Sequence, residues 1–188
     1  MVTTMGRPES SSWAEPFRLA FRRHATTVSL ISYYDSAGAP SAMTATAVIP
    51  VSVQPPSVLV SINRQARSRD EIVAGRQFGV SFLRPSQQEL ASRCSRPGTT
   101  KGLAAPEVVA GRGHGAPAVV GSLAHLDCRL AKVHDEYTHS LLVGEVTDVL
   151  IGPSGVPLLY ADGAYVTVDP GSEAQYEQLW ERVMAAFL

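Results

Sequence analysis

The sequence has only two cysteines, Cys94 and Cys128, among its 188 residues. Two cysteines provide neither the disulfide framework of a small secreted domain nor the four ligands of a structural zinc site. No apolar run approaches the roughly 20 residues that cross a bilayer. Residues 1–13 also lack the apolar stretch of a signal peptide. The sequence therefore predicts a protein of the cytoplasm.

An excess of charge of either sign is also absent, since 16 Lys and Arg residues stand against 17 Asp and Glu residues. The net charge of −1 gives no electrostatic footprint for nucleic-acid phosphates and no attraction to an anionic membrane surface. The hydrophobic fraction of 45% is enough to build a folded core in a chain of this length. We expect one globular domain that binds neither nucleic acid nor membranes.

Several common catalytic motifs are missing. No Walker loop and no nucleophile elbow occur in the chain. The glycines at 111, 113 and 115 lie in a loop and do not join a strand to a helix, which makes a dinucleotide fingerprint a weak interpretation. The five histidines lack metal-ligand spacing with one another or with the cysteines, so no metal is expected. They are His24, His114, His125, His134 and His139.

Apolar periodicity predicts one domain, residues 15–170, between a flexible tail at residues 1–14 and a final amphipathic helix at residues 171–188. The domain begins with a short helix at Glu15–Ala25. In the final helix, large apolar residues recur at three- and four-residue steps, and we expect this stripe to pack on the barrel or on a second subunit. The stripe consists of Tyr176, Leu179, Trp180, Val183, Met184 and Phe187.

Short β-branched and apolar segments dominate the domain. Pro50 requires an edge, a bulge or a break in its strand, and Asp162-Gly163 is a strong hairpin signal. Because tight turns join the segments, they predict a mainly β fold, an antiparallel barrel with short helices outside it. The strands are expected at Thr26–Tyr34, Ser41–Val53, Ser57–Ile62, Phe78–Leu83, Gly121–His134 and His139–Ile151, with a hairpin in Pro157–Val168.

Three helix starts match the capping box, in which serine is followed three residues later by Glu or Gln. They begin at Ser68, Ser86 and Ser172. Residues 96–117, which lie after the second of these helices, contain several Gly and Pro residues and are expected to form an irregular loop.

Alternation in the strand around Cys128 places this cysteine on an apolar face, where we expect a small core residue. The opposite face carries His125, Asp127 and Arg129 and is expected to be solvated. Cys94 is also expected to be structural, although neighbouring arginines could lower the pKa of its thiol.

Two segments could bind a ligand. The small residues and threonines of Ala42–Val48 would let a flat heterocycle approach the backbone, although an ordinary Thr/Ala strand fits the same pattern. A strand that ends at Asn63 and a helix that starts at Ser68 could hold a phosphate at the helix N-terminus. A capped helix with solvated arginines fits that segment equally well.

The order of these pieces resembles the flavin reductase domain of two-component flavin-dependent monooxygenases, from about Phe17 to Tyr165. The resemblance implies an FMN-binding split β-barrel, a homodimer, and NAD(P)H-dependent reduction of FMN or FAD. The segments that carry it are FRLAFRRHATTVSLISYYDSAGAPSAMTATAVIPVSVQPPSVLVSINRQARS, QFGVSFLRPSQQELASR, GSLAHLDCRL, HSLLVGEVTDV and PLLYADGAY.

The resemblance also implies roles for individual residues. His139 is assigned to the nicotinamide carboxamide or to the reduced flavin, and Tyr165 to the neighbourhood of the nicotinamide. Arg93 and Lys101 are assigned to a basic loop near the flavin phosphate or the adenosine. The sequence departs from the family pattern at Thr100–Gly102 and at Tyr137-Thr138. The remaining flavin contacts are assigned to Met43, Thr44, Ala45, Thr46, Ala47 and Val48, and to Ser61, Ile62, Asn63, Arg67 and Ser68.

The expected activity is hydride transfer from nicotinamide C4 to flavin N5, with reduced flavin diffusing to a partner monooxygenase. A flavin-binding electron carrier of the same fold, without turnover, is the alternative. The choice between FMN and FAD, and between NADH and NADPH, stays open at this level.

Overall fold

The computed structural model describes residues 13–96, 102–109 and 115–168, together with positions 177, 178, 181, 182 and 185. Named helices in this part of the chain are α1 (Ala14–Arg22), α2 (Arg67–Gly75) and α3 (Gln88–Ser95), the last preceded by a 3-10 turn at Pro85–Gln87. The strands are β1 (Thr26–Thr27), β2 (Ser29–Tyr34), β3 (Pro40–Ala45), β4 (Val48–Val53), β5 (Pro56–Asn63), β6 (Gln77–Phe82), β7 (Val108–Val109), β8 (Ala118–Val119), β9 (Ala124–Glu136), β10 (His139–Ile151), β11 (Leu159–Ala161) and β12 (Ala164–Val166).

Seven strands form one antiparallel sheet in the order β3-β2-β6-β9-β10-β5-β4. Although β3 and β4 are consecutive in the chain, they are the two edges of this sheet. The chain therefore crosses from one edge to the other at Thr46-Ala47, and the amide of Ser61 in β5 bonds the Ala47 carbonyl at 3.1 Å. In the part of the chain that the structure describes, the two edge strands β3 and β4 do not pair with each other, so the barrel that this sheet forms is split.

The residues predicted to interrupt a strand or form a turn do so in the structure. Pro50 lies in the edge strand β4 beside a register shift, which confirms the expected edge and bulge. Asp162 and Gly163 both have positive φ, 51° and 84°, and join β11 to β12 in the predicted hairpin. The two long strands β9 and β10 are also confirmed.

Helical structure begins at Arg67 and at Pro85, which confirms the helix starts predicted near Ser68 and Ser86, but the predicted serine caps are wrong. The N-cap of α2 is Ala66, and the hydroxyl of Ser68 donates to the sulfur of Met43 at 2.9 Å. At the second helix, the side chain of Gln87 accepts the backbone N–H of Arg84 at 3.0 Å. Ser86 lies inside that turn and does not cap it. Tertiary contact and a glutamine acceptor replace the local serine caps. The third predicted cap, Ser172, lies outside the described residues.

Two apolar clusters sandwich β2 and β3. The first fills the barrel and includes Phe78 and Ile62 together with Ile72 of α2. The second lies under α3 and includes Leu30 and Ala91. Because side chains of a strand alternate between its two faces, β2 is buried on both and all but its last residue are inaccessible. Cys128 and Cys94 belong to the first and second cluster respectively, which confirms their predicted core roles.

The polar face at the start of β9 is buried, which corrects the expected solvation of His125 and Asp127; only Arg129 is exposed. His125 Nδ1 lies 2.8 Å from Ser81 Oγ, and its Nε2 lies 3.4 Å from Asp127 Oδ1. The segment 115–119 covers these groups. Its Ala116 N–H donates to Asp127 at 2.7 Å, and its Val119 N–H donates to Ser81 at 3.3 Å. A segment distant in sequence therefore turns a polar strand face into an internal hydrogen-bond network.

This network makes a prediction for the pH dependence of stability. Burial lowers the pKa of His125 below its ordinary value of 6.5, against the opposing effect of Asp127. Below pH 6.5 the unfolded chain therefore binds a proton that the folded protein resists. The free energy of unfolding should fall with decreasing pH by up to about 1.4 kcal/mol per pH unit.

Urea unfolding of the wild type and of His125→Gln between pH 5 and 8 measures this slope. The variant should lack the part of the slope that begins near pH 6.5, whereas Asp135, whose pKa is lowered from 3.8, acts at more acidic pH in both proteins. Identical slopes in the two proteins would contradict the prediction.

Three further expectations concern the loop and the chain ends. The loop at residues 96–117 contains the short strand β7, which pairs with β8, so it is not wholly irregular. Positions 177, 178, 181, 182 and 185 are helical and exposed, whereas the apolar stripe of that helix and the tail at residues 1–12 lie outside the described residues. Among the described residues, no helix is both long and apolar enough to cross a membrane.

Candidate functional site

The segments predicted to bind a ligand lie together where β3 crosses to β4. Ser61 bonds Ala47 across the crossing, and Ser68 of α2 reaches Met43 of β3. In the register of β5 and β10, Asn63 lies directly opposite His139. The crossing, the end of β5, the start of α2 and the start of β10 therefore form one site.

Along Met43–Val48, only part of the segment faces outward. Ala45 is 8% exposed and belongs to the barrel core, and the Thr44 hydroxyl donates to the Ala91 carbonyl of α3 at 2.6 Å. Thr46 and Ala47 are exposed. Side chains in a strand alternate between its two faces, and those of β3 are largely covered. The accessible part of Met43–Val48 is therefore the crossing at Thr46-Ala47, with its backbone and its side chains.

The segment Ser61–Ser68 divides in the same way. The side chain of Ile62 is 1% exposed and packs in the barrel, so only its backbone could meet a ligand. Asn63 is exposed, and its Oδ1 accepts the N–H of Gln65 at 2.9 Å, which fixes the loop before α2. At the start of α2, Arg67 pairs with Glu71 at 3.1 Å, and Ser68 is buried against Met43.

His139 begins β10 at the end of the hairpin that joins it to β9. It is exposed, and its Nδ1 lies 2.9 Å from the Thr138 hydroxyl. Tyr137, which precedes this pair, has a φ of 49°, a left-handed conformation that turns the hairpin. Thr138 therefore orients one ring nitrogen of His139 and leaves Nε2 for another partner.

Arg93 and Tyr165 lie on the other side of β3, around α3 and the second core cluster. Two hydrogen bonds of 2.7 and 2.6 Å tie Arg93 to Glu107. Tyr165 packs on the second cluster and edge-on against Tyr160, with ring centroids 5.4 Å apart. Within the described residues, neither shares a hydrogen bond, an ion pair or a ring contact with His139, and Lys101 lies outside them.

A cavity of about 490 Å³ opens at the β9–β10 hairpin that leads to His139, although His139 itself does not line it. Its walls come from the loop after β5, from α2 and from the β9–β10 hairpin. Behind it, Asp135 accepts hydrogen bonds from Ser140 at 2.5 Å and from Arg69 at 3.3 Å. Sequence patterns gave no signal for this cluster, because its members come from three elements. The cavity is lined by Asn63, Arg64, Gln65, Arg69, Tyr137 and Thr138.

The donors and acceptors of the site fit a flavin. The exposed backbone at Thr46-Ala47 can meet the edge of a flat heterocycle, and the polar group of Asn63 suits a polyhydroxyl chain. The first turn of α2 carries the positive end of the helix dipole, which suits a phosphate, although the N–H of Arg69 already donates to the Ala66 carbonyl at 2.9 Å. The site presents no cluster of three or more metal-binding side chains in the described ranges.

Named relatives are similar over most of the chain. An NADH:riboflavin 5′-phosphate oxidoreductase of Streptomyces pristinaespiralis is 30% identical over 161 residues, which cover 85% of this chain and 91% of the relative. The reductase subunit of a flavin-dependent monooxygenase from Rhodococcus jostii is 30% identical over 177 residues, covering 92% and 86%.

Solved structures of flavin reductases are also similar to this chain. The flavin reductase component of a bacterial two-component tryptophan halogenase superposes with a TM-score of 0.76 at 27% identity, covering 82% of this chain and 98% of that one. The NADH:FAD oxidoreductase of Streptomyces globisporus, in complex with NAD and FAD fragments, gives 0.78 at 25% identity, covering 88% and 98%. These likenesses confirm the predicted split barrel. Because the family model of the flavin reductase like domain also matches residues 21–169, this chain belongs to that family.

Proposed function

We propose that this protein is an NAD(P)H-dependent flavin reductase that supplies reduced flavin to a partner enzyme. The observation that carries the proposal is the family match over residues 21–169. The geometry supports it, because the crossing at Thr46-Ala47, the end of β5 and His139 lie together at one site.

The residues divide into a flavin side and a nicotinamide side. The backbone of Met43–Val48 and of Ser61–Asn63 lies along the flavin, with Thr46 and Asn63 as the exposed polar side chains. The flavin phosphate end lies at the first turn of α2, where the side chain of Arg67 is exposed. Ser68 contributes its backbone there, because its hydroxyl donates to Met43. His139 holds the nicotinamide, through the ring nitrogen that Thr138 does not contact.

The bound flavin and nicotinamide supply the redox chemistry themselves, as hydride transfer from nicotinamide C4 to flavin N5. No side chain has to donate or accept a proton in that step. The protein binds both rings, orients them face to face, and keeps water from the space between them. Arg93 and Lys101 keep their expected role near the flavin phosphate or the adenosine, and Tyr165 keeps its expected role near the nicotinamide.

Anaerobic turnover tests the proposal. The protein is mixed with FMN, FAD or riboflavin and with NADH or NADPH, and the visible absorbance of the flavin is followed. Many turnovers per protein molecule are expected with at least one pair. Flavin binding without bleaching would instead identify the electron carrier of the same fold.

The partner is a flavin-dependent monooxygenase that receives freely diffusing reduced flavin. The support is that relatives of this chain are named reductase subunits or components of two-component enzymes. A cytoplasmic location fits this role, because the two cysteines are buried and not joined in a disulfide, as expected in a reducing compartment.

The protein is a homodimer in this proposal. Edge strand β4 exposes apolar side chains, with Ile49 at 56% and Val53 at 85%, and an uncovered apolar edge is a pairing surface. Ile49→Asp should convert the dimer to a monomer in sedimentation equilibrium. Ser52→Asp adds the same charge at an exposed polar position of the same strand and should leave the dimer intact. A monomeric wild type would contradict the proposal.

A further inference from the structure

Helix α1 is exposed to solvent along its whole length. None of its nine residues is buried, although its sequence is strongly amphipathic. The rings of Phe17 and Phe21 lie 4.6 Å apart, and the ring of Phe21 lies 6.2 Å from that of His24. A helix of this length is marginal in water alone, so α1 needs a surface that covers its aromatic side. That side consists of Trp13, Phe17, Ala20 and Phe21, and we call it the aromatic face.

The last helix of the chain has an apolar side of its own. Positions 177, 178, 181, 182 and 185 are helical and exposed. Successive helical residues turn by about 100°, so these positions share one side of the helix. The apolar stripe predicted from Tyr176 to Phe187 falls on the opposite side. The stripe therefore needs a cover, as the aromatic face of α1 does.

The charges of the two helices are complementary. Three arginines and one glutamate lie in α1 or directly after it, and Glu15 is paired with Arg18 at 2.7 Å. Residues 172–188 have the reverse, three glutamates and one arginine. These glutamates recur every four residues, so they follow one border of the apolar stripe and would face a basic partner helix. The arginines are Arg18, Arg22 and Arg23, and the glutamates are Glu173, Glu177 and Glu181.

The final helix starts within reach of α1. The turn between β11 and β12 already contacts α1, because the Asp162 N–H donates to the Arg22 carbonyl at 2.6 Å. β12 lies two strands from β1, or about 10 Å, and β1 begins at Thr26, shortly after α1 ends. The link at residues 169–171 can extend by about 10 Å. The chain can therefore return to α1 without crossing to a second subunit.

We propose that residues 172–188 dock on α1 of the same chain, with the apolar stripe packed on the aromatic face. The glutamates that border the stripe then lie beside the arginines of α1. The pair of helices also fastens the β11–β12 hairpin, which lies between them in the chain and bonds α1 at Arg22. This docking goes beyond the proposed function, and it requires neither flavin nor nicotinamide.

Cross-linking in the full-length protein tests the contact. Phe17→Cys is combined with Val183→Cys, and a short bismaleimide is added. A link within one chain is expected, which migrates as a monomer on a denaturing gel. Cys94 and Cys128 are buried, and protein without the new cysteines corrects for any reaction with them.

The matched control pair is Leu19→Cys with Gln178→Cys. Leu19 is 52% exposed and lies off the aromatic face, and Gln178 is on the exposed side of the final helix. Both thiols are as accessible as those of the first pair, but they point away from the proposed contact. This pair should therefore link several-fold less.

Hydrogen exchange measures what the docking does to α1. Val183→Asp places a charge in the apolar stripe and should speed exchange of the α1 amides by about tenfold or more, because α1 loses its cover. Gln178→Asp adds the same charge on the exposed side and should leave α1 unchanged. Peptides from β9 and β10 should exchange alike in all three proteins, which shows that the barrel is folded.

Three results would overturn the proposal. A cross-link between two chains would assign the cover of α1 to a second copy. Equal linking in the control pair, or α1 exchange that Val183→Asp does not change, would show that the two helices do not pack on each other. Fast exchange of α1 in the wild type would leave the aromatic face to a partner enzyme. All three would leave the reductase function in place, since it is measured by turnover.

Discussion

Asp127→Ala is expected to lower the free energy of unfolding by about 2–6 kcal/mol, because it leaves two buried donors without an acceptor, each at about 1–3 kcal/mol. One donor is the N–H of Ala116, 2.7 Å from Asp127 Oδ1. The other is Nε2–H of His125 at 3.4 Å, in the tautomer whose Nδ1 accepts from the Ser81 hydroxyl. Asp127 is 3% exposed, so both hydrogen bonds lie in a largely desolvated environment. Urea unfolding at pH 7.5 measures the loss.

Asp127→Asn is the matched control. Asparagine retains the acceptor at the Oδ1 position and replaces Oδ2, which is buried without a hydrogen-bond partner in the described part of the chain. Its cost should therefore be clearly smaller than that of alanine. Equal unfolding free energies for alanine and wild type would show that the network adds nothing to stability. If Asp127→Ala and Asp127→Asn lose the same free energy of unfolding, the carboxylate charge of Asp127, and not its hydrogen bonds, stabilises the fold.

His139→Ala is expected to lower kcat/KM for the reduced nicotinamide by about ten- to a hundredfold, the effect of one lost hydrogen bond of about 1–3 kcal/mol. His139 is exposed at the start of β10 and is held by Thr138 at 2.9 Å. Because its contribution to the barrel core is small, the dissociation constant of the flavin should stay near the wild-type value. Steady-state turnover and flavin titration together separate the two effects.

His134→Ala provides the comparison for that change. His134 is in the same hairpin, with its side chain 69% exposed and 3.3 Å from Glu136, so its removal should leave turnover unchanged. Parallel losses of flavin binding and turnover in His139→Ala would assign this histidine to the flavin or to the fold. Unchanged kinetics in His139→Ala would show that the His139 side chain contacts solvent and not the nicotinamide.

Local patterns predict those parts of this fold that local chemistry determines. Asp162-Gly163 takes the positive φ values that its hairpin needs, and Pro50 is tolerated because β4 has a free edge. The place of the ligand-binding segments along the chain follows from the same patterns and from the family resemblance.

Features that depend on distant contacts are not visible in such patterns. The polar face of β9 is typical of a solvated surface until segment 115–119 covers His125 and Asp127. Ser68 has the spacing of a cap, yet the sulfur of Met43 captures its hydroxyl. Asp135 has no motif at all, because Arg64, Arg69 and Ser140 reach it from three different elements.

The crossing at Thr46-Ala47 has a consequence for folding. The strands on either side of it are the opposite edges of the seven-stranded sheet, so five other strands must pair before the crossing takes its final path. Such non-local pairing is the slow part of forming a β-rich fold. The segments on the two sides of the crossing thus reach their final positions only in the complete sheet. A flavin that binds the folded state alone raises the ratio of folded to unfolded protein by a factor of one plus its free concentration divided by its dissociation constant.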